Sequence, residues 1–167
     1  EYREGEVDWA KTEALVNERL MPLFKEKRIA ITQGFIGHTS EGFTTTLGRE
    51  GSDFTAGILA YCTNASGVTI WKDVPGMLNA DPKWFDDTIK LQKISFKEAI
   101  ELSYYGASVI HPKTIKPLQN KGIPLYVKSF LAPEEPGTVI HAIDHKIELP
   151  PIFIMKENQV LITLSPK

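Results

Sequence analysis

The sequence predicts an α/β fold built on a mainly parallel sheet with helices on its faces. Three observations predict it. Short apolar runs alternate with helix-spaced segments along most of the chain, as in strand–helix–strand units. Helix-start signals stand at the seams: Asp8, and the capping box Ser95-Phe96-Lys97-Glu98. A long loop rich in glycine and hydroxyl residues, from Gln33 to Gly51, joins a strand-like run to a helix. In open α/β sheets ligands sit at such junctions, beyond the carboxyl ends of the strands.

Taken in order, Asp8 caps a helix carrying Trp9, Val16, Leu20, Leu23 and Phe24 on one face, which Pro22 ends or kinks. Ile29-Ala30-Ile31-Thr32 reads as a short buried strand. After the loop, Ser52 starts a helix with Phe54, Ile58, Leu59 and Cys62 on its apolar side. Gly67 to Trp71 is a strand, stopped by the turn Asp73-Val74-Pro75-Gly76. The capping box opens a helix running to about Tyr105, with Gly106 as its stop. Val109-Ile110 reads as a short strand, and His111-Pro112 starts a helix that ends by Lys121-Gly122. Ile123 to Val127 and Val139-Ile140 are the last strands of this unit, with a proline-rich loop between them. Beyond Pro150-Pro151, the runs Ile152 to Met155 and Val160 to Leu164 read as a hairpin of a second domain.

Composition narrows the function classes. The 167 residues carry 19 Lys and Arg against 21 Asp and Glu, a formal charge of -2, so bulk charge argues against a nucleic-acid partner. Hydrophobic residues make up 42% of the chain, enough for a core, which excludes a disordered tail. No apolar run approaches the roughly 18–20 residues of a membrane span. The single cysteine, Cys62, cannot form an internal disulfide, which fits a reducing, cytoplasmic setting. The opening Glu1-Tyr2-Arg3-Glu4 and the strand-like close suggest a chain taken from something longer.

The candidate chemistry lies in Thr44 to Asp53. Gly48 and Gly51 let backbone approach a ligand, and the helix start adds partial positive charge. Arg49 offers a fork for a carboxylate and Asp53 a negative partner for an ammonium. Together they suit the two charged groups of an amino acid. The plainer reading is that Asp53 stabilises the first helical turn while Arg49 pairs with Glu50 or solvent. Lys72 and Asp73 follow a strand end, where backbone can read a base edge, and Lys83 can meet a phosphate; taken alone, each reads more readily as part of a solvated turn. The loop contains neither GxxxxGK[ST] nor GxGxxG. The four histidines show no metal spacing. His111 reads as a structural residue and Cys62 as a packing residue.

Gly34-Phe35-Ile36-Gly37, Thr44 to Asp53, Trp71 to Gly76, Asp81-Pro82, Glu98-Ala99, Gly106-Ala107, His111-Pro112, Ile123-Pro124 and Gly137-Thr138 stand in an order and spacing that resembles the aspartate kinases. The resemblance covers nearly the whole chain. It implies a partial amino acid kinase fold, an α/β/α sandwich, over residues 1–146, and the first strands of an ACT-type regulatory domain over 147–167. It implies that Arg49 binds the α-carboxylate of L-aspartate, that Asp53 binds its ammonium and that Ser52 lines the same site. It places Lys72 and Asp73 at the base and ribose of ATP, and Leu78 and Lys83 near the phosphates, with Mg²⁺ accompanying the nucleotide. Ser108 stands where the family often carries a nucleotide-contacting Lys, and serine cannot supply that charge. Glu50 replaces a small or neutral residue and is expected to face solvent.

The implied parent reaction is phosphorylation of L-aspartate to 4-phospho-L-aspartate, on the route to lysine, threonine and methionine. ACT domains in the parent imply a homo-oligomer. The family's Lys-Phe-Gly-Gly-Thr-Ser segment, which carries its chief charge-stabilising lysine, is not in these residues. The chain by itself is therefore expected to be catalytically inactive. Two other readings stand beside this one: the same fold acting on another small acid, and a non-catalytic regulatory or assembly piece working through its terminal strands.

Overall fold

The structure is a computed structural model that describes residues 5–105, 109–145, 148–155 and 157–160. Its centre is a four-stranded sheet in the order β3-β5-β6-β4. These strands are β3 (Val68–Lys72), β4 (Lys93–Ser95), β5 (Leu125–Ser129) and β6 (Thr138–His141). β3 pairs with β5 and β4 with β6 in parallel, and only β5 and β6 run antiparallel. The mainly parallel sheet of the sequence analysis is therefore present, with one inversion at its middle.

Helix starts follow the capping chemistry. The Asp8 side chain accepts from the Lys11 N–H at 3.0 Å and opens α1 (Trp9–Arg19). The helical path breaks at Leu20 and restarts as α2 (Met21–Lys25), with Pro22 in its first turn, where a missing N–H costs little. At α4 (Phe96–Tyr105) the capping box is complete: Glu98 N–H donates to Ser95 Oγ at 3.1 Å, and Glu98 Oε2 accepts from the Ser95 N–H at 3.0 Å. At α5 (Pro112–Lys121) the cap is His111, whose Nδ1 accepts from the Lys113 N–H at 3.2 Å, and Gly122 closes the helix in a left-handed conformation.

The main core lies where α4 and α5 meet the sheet. Ile94, Ile110, Ile115, Leu118, Leu125 and Ile140 are fully buried there. Each such side chain contributes about 1.5–3 kcal/mol relative to exposure. A smaller core joins α1 to α3 (Gly51–Thr63) through Val16, Phe54, Ile58 and Cys62. Trp9 meets the rings of Phe54 and Tyr61 edge-on, at 6.4 and 4.8 Å between centroids. One cation ties these helices together. Lys121 Nζ lies 2.7 Å from Glu13 Oε1, 2.7 Å from the Tyr61 carbonyl and 2.8 Å from Asn64 Oδ1.

Four sequence expectations change. The loop 33–51 contains an antiparallel hairpin, β1 (Ile36–His38) with β2 (Thr44–Thr46). Ile29 to Thr32 forms no strand among the described residues, and Ile29 and Ile31 are 90% and 94% exposed. An apolar run needs a neighbouring ladder to become a strand, and none lies beside it here. Val109-Ile110 is a bend, because the Ile110 carbonyl is taken by the buried Ser103 hydroxyl at 2.7 Å. Residues 152–155 form no strand: the Phe153 N–H donates to the Asn79 carbonyl at 2.8 Å, while Ile152 and Ile154 pack on the main core. Most of the expected partner run, 161–164, lies outside the described residues.

Two predictions follow from this packing. Replacing Lys121 with Met should lower the unfolding free energy by about 1–2 kcal/mol, because two carbonyl oxygens and a carboxylate lose one shared donor. Urea unfolding would measure this, and an unchanged midpoint would refute the tie. Burial pushes the Cys62 thiol above its ordinary pKa, with Glu13 adding to the shift. The folded chain should therefore resist thiol reagents at neutral pH and react at the rate of unfolding. An unfolded thiol ionises first as pH rises, so Cys62 should lower stability only above the ordinary thiol range.

Candidate functional site

The site is built on the first turn of α3. Two residues with left-handed backbone, Phe35 (φ 73°) and Glu50 (φ 54°), stand at its edge. Such conformations are costly for side chains larger than Asn and cluster where surrounding structure imposes them. The cause here is a close approach. A Cβ on Gly51 would lie 2.6 Å from the Phe35 ring, and one on Gly34 would lie 2.9 Å from Ser52 Cα. The Gly34-Phe35 loop is thus pressed onto the helix start. Thr55 holds it there: its hydroxyl accepts from the Phe35 N–H at 3.0 Å and donates to the Gly51 carbonyl at 2.9 Å.

Arg49 and Ser52 are exposed on this edge, and Asp53 is half-buried one residue further along the helix. Glu50 departs from expectation: it is half-buried, with Oε2 shielded from solvent, because its left-handed backbone turns the side chain inward. The first helical turn leaves N–H groups without intrahelical partners, so the surroundings favour an anion beside Arg49.

Asp53 has a partner that its sequence position does not reveal. Lys72 Nζ lies 2.7 Å from Asp53 Oδ2, and the side chains are only 24% and 17% exposed. Lys72 ends β3, an edge strand, and its backbone is held from the β5 side. It pairs with Ser129 across the parallel ladder, and its carbonyl accepts from the Phe130 N–H at 2.9 Å. The carboxyl end of β3 and the amino end of α3 therefore meet through one short ion pair.

Beyond Lys72 the chain turns through Asp73, which is exposed, into a strongly anchored loop. The buried Thr138 hydroxyl accepts from the Met77 N–H at 2.8 Å and donates to the Leu91 carbonyl at 2.5 Å. Gly76 (φ 141°) permits this, since a Cβ there would lie 2.5 Å from Thr138 Oγ1. Leu78 is half-buried and bridges to Lys90, while Lys83 lies on the exposed turn that Asp81 Oδ1 caps at 2.9 Å. Asn79 uses both side-chain and backbone groups: Oδ1 accepts from the Ile89 N–H at 2.6 Å, Nδ2 donates to the Pro151 carbonyl at 3.0 Å, and its N–H donates to the Ile89 carbonyl at 2.9 Å. Ser108 lies outside the described residues.

The structure thus brings Asp53 and Lys72 into contact and sets Arg49 and Ser52 on the same helix edge. Sequence reasoning missed Phe35, Thr55, Asn79 and Thr138 as the residues that hold these loops. Phe35 and Thr138 carried a signal only within the segments Gly34 to Gly37 and Gly137-Thr138 of the family resemblance; Thr55 and Asn79 carried none. A cavity of about 810 Å³ lies elsewhere, between α1, the β1–β2 hairpin and α3, and is lined by neither Arg49, Asp53 nor Lys72. Among the described residues no three His, Cys, Asp or Glu side chains stand together to hold a metal, and no helix is long and apolar enough to cross a membrane.

Comparison with known proteins sets this geometry in context. The chain is 41% identical over 166 residues to lysine-sensitive aspartokinase 3 of Escherichia coli (strain K12), spanning 98% of this chain and 36% of that protein. It is 43% identical over 113 residues to the chloroplastic bifunctional aspartokinase/homoserine dehydrogenase 2 of Arabidopsis thaliana, spanning 68% of this chain and 12% of that one. The fold superposes on the crystal structure of E. coli aspartokinase III in complex with aspartate and ADP (R-state) with a TM-score of 0.81, at 41% identity, over 92% of this chain and 33% of that one. This chain therefore spans about a third or less of the length of these relatives. The model of the amino acid kinase family matches residues 5–129, and the chain, with its mainly parallel sheet and its loop-to-helix site, belongs to that family.

Proposed function

We propose that this chain supplies the amino-acid clasp and the nucleotide loop of an aspartate kinase, which transfers the γ-phosphoryl group of ATP to the side-chain carboxylate of L-aspartate. The observation that carries the reading is the placement of Arg49, Ser52 and Asp53 within one short stretch at the start of α3, with Arg49 just before the N-cap Glu50. It is supported by likeness to a protein crystallised with aspartate and ADP. In this reading Arg49 grips the α-carboxylate through its fork, Asp53 receives the α-ammonium, and Ser52 hydrogen-bonds beside them. Lys72 and Asp73 face the nucleotide, and Leu78 and Lys83 border its phosphates; Ser108 adds no charge there.

Phosphoryl transfer needs little covalent help from protein and depends on positioning and charge neutralisation. The loops described above supply positioning. Mg²⁺ would accompany the nucleotide on its phosphates. It would neutralise developing charge there. The chain alone remains short of the family's lysine-bearing segment, so binding without turnover is its proposed behaviour. Residues 147–167 as the start of an ACT region, a homo-oligomer through that region and amino-acid feedback belong to the same proposal; the E. coli relative is named lysine-sensitive. A cytoplasmic setting accords with the buried, unpaired Cys62.

Calorimetric titration of the 167-residue chain tests the reading. L-aspartate should bind more tightly than L-glutamate, and Arg49→Ala should weaken aspartate at least about tenfold, the usual loss for a charge-assisted pair. Equal affinity for the two acids, or indifference to Arg49→Ala, would refute it. In a coupled assay with ATP, Mg²⁺ and aspartate, the chain should release no ADP. Aspartate-dependent release that copurifies with the chain would overturn its inactivity.

A further inference from the structure

We infer that Lys72 is a shared cation that changes partners when ligands bind, and that it makes nucleotide and aspartate bind cooperatively. The inference rests on the aspartate kinase reading and deepens it. Its starting point is a conflict of charge. Asp53 is the acceptor proposed for the substrate ammonium, yet its Oδ2 already holds Lys72 Nζ at 2.7 Å. Aspartate arriving alone would set a second ammonium beside the first, against one carboxylate that is 17% exposed. Two cations and one anion in a largely dry junction leave an uncompensated positive charge, which weakens binding.

An anion resolves the conflict. If the phosphates of a nucleotide draw Lys72 Nζ away, Asp53 is free for the substrate ammonium and both new pairs are neutralised. The geometry suits such an exchange. The Lys72 backbone is pinned in the β3–β5 ladder and by the Phe130 N–H, and Asp53 is fixed within α3, so neither main chain has to move. Only the four-carbon stem of Lys72 swings, and a lysine ammonium is a point charge with rotatable donors rather than a rigid fork. The exchange also supplies a positive charge to the phosphates that Ser108 cannot give. Lys72 then serves the phosphate side of the nucleotide as well as the strand end from which it projects.

Linkage makes this measurable, because a nucleotide that aids aspartate must be aided by it to the same factor. Aspartate is titrated calorimetrically into the chain with and without saturating ADP. The expected result is at least about fivefold tighter aspartate binding with ADP, within the usual range of such couplings. In Lys72→Met the two titrations should coincide, and Lys72→Arg should restore part of the difference. Full coupling in Lys72→Met, or no coupling in the unaltered chain, would overturn the inference.

A second measurement does not depend on a variant that folds. The Lys72 ammonium, followed by ¹⁵N NMR in the unaltered chain, should shift when ADP and aspartate are both present. An unmoved resonance under saturating ligands also overturns the inference. The underlying reading fails separately: aspartate affinity indifferent to both Arg49→Ala and Asp53→Asn would remove the aspartate site itself. Loss of affinity in those variants without coupling would remove only the exchange.

Discussion

The ion pair between Asp53 and Lys72 is the constraint on which the site depends. It joins the amino end of α3 to the carboxyl end of β3 at 2.7 Å, with both side chains largely shielded. Removing either partner would leave the other charge poorly solvated, a far greater disturbance than loss of a surface pair. The loops around it are arranged to hold that contact. Phe35 and Gly34 press on the helix start, and Thr138 anchors the chain soon after it leaves β3. The sheet itself is an ordinary scaffold, but this one contact joins its β3 edge to the start of α3.

Local chemistry was the most legible part of the fold. Asp8, the Ser95–Glu98 box, Pro112 and Gly122 each act through neighbouring backbone groups, so short stretches of sequence are sufficient to place them. Elements that depend on distant partners were less legible. The β1–β2 hairpin hides in threonines and glycines that also suit a loop. Ile29 and Ile31 have the composition of a strand but no ladder beside them. Ile110 looks like a strand residue, yet its carbonyl is claimed by a serine from the preceding helix.

The site shows the same division. Arg49 and Asp53 stand out as candidates because they set opposite charges in one short, glycine-flanked segment, whereas Ser52 joins them only through the family resemblance. The contact of Asp53 with Lys72 does not stand out, since no periodicity links a helix start to the far end of the next strand. Glu50 was misplaced for a similar reason. Its charge suggested solvent, whereas its left-handed backbone directs one oxygen inward. Charge alone says what a side chain prefers; the backbone beneath it decides where it goes.

Asn79 has a consequence for how the molecule can be divided. Its carbonyl receives the Phe153 N–H at 2.8 Å and its amide reaches the Pro151 carbonyl at 3.0 Å, while Phe85 stacks on Phe153 at 5.6 Å between centroids. The tail is therefore stitched into the loop that follows β3. A cleavage or splice junction upstream of Pro151 would not trim a passive appendage. It would unpick a seam of the loop that follows β3, so residues 151–153 and that loop must be exchanged or engineered as a single module.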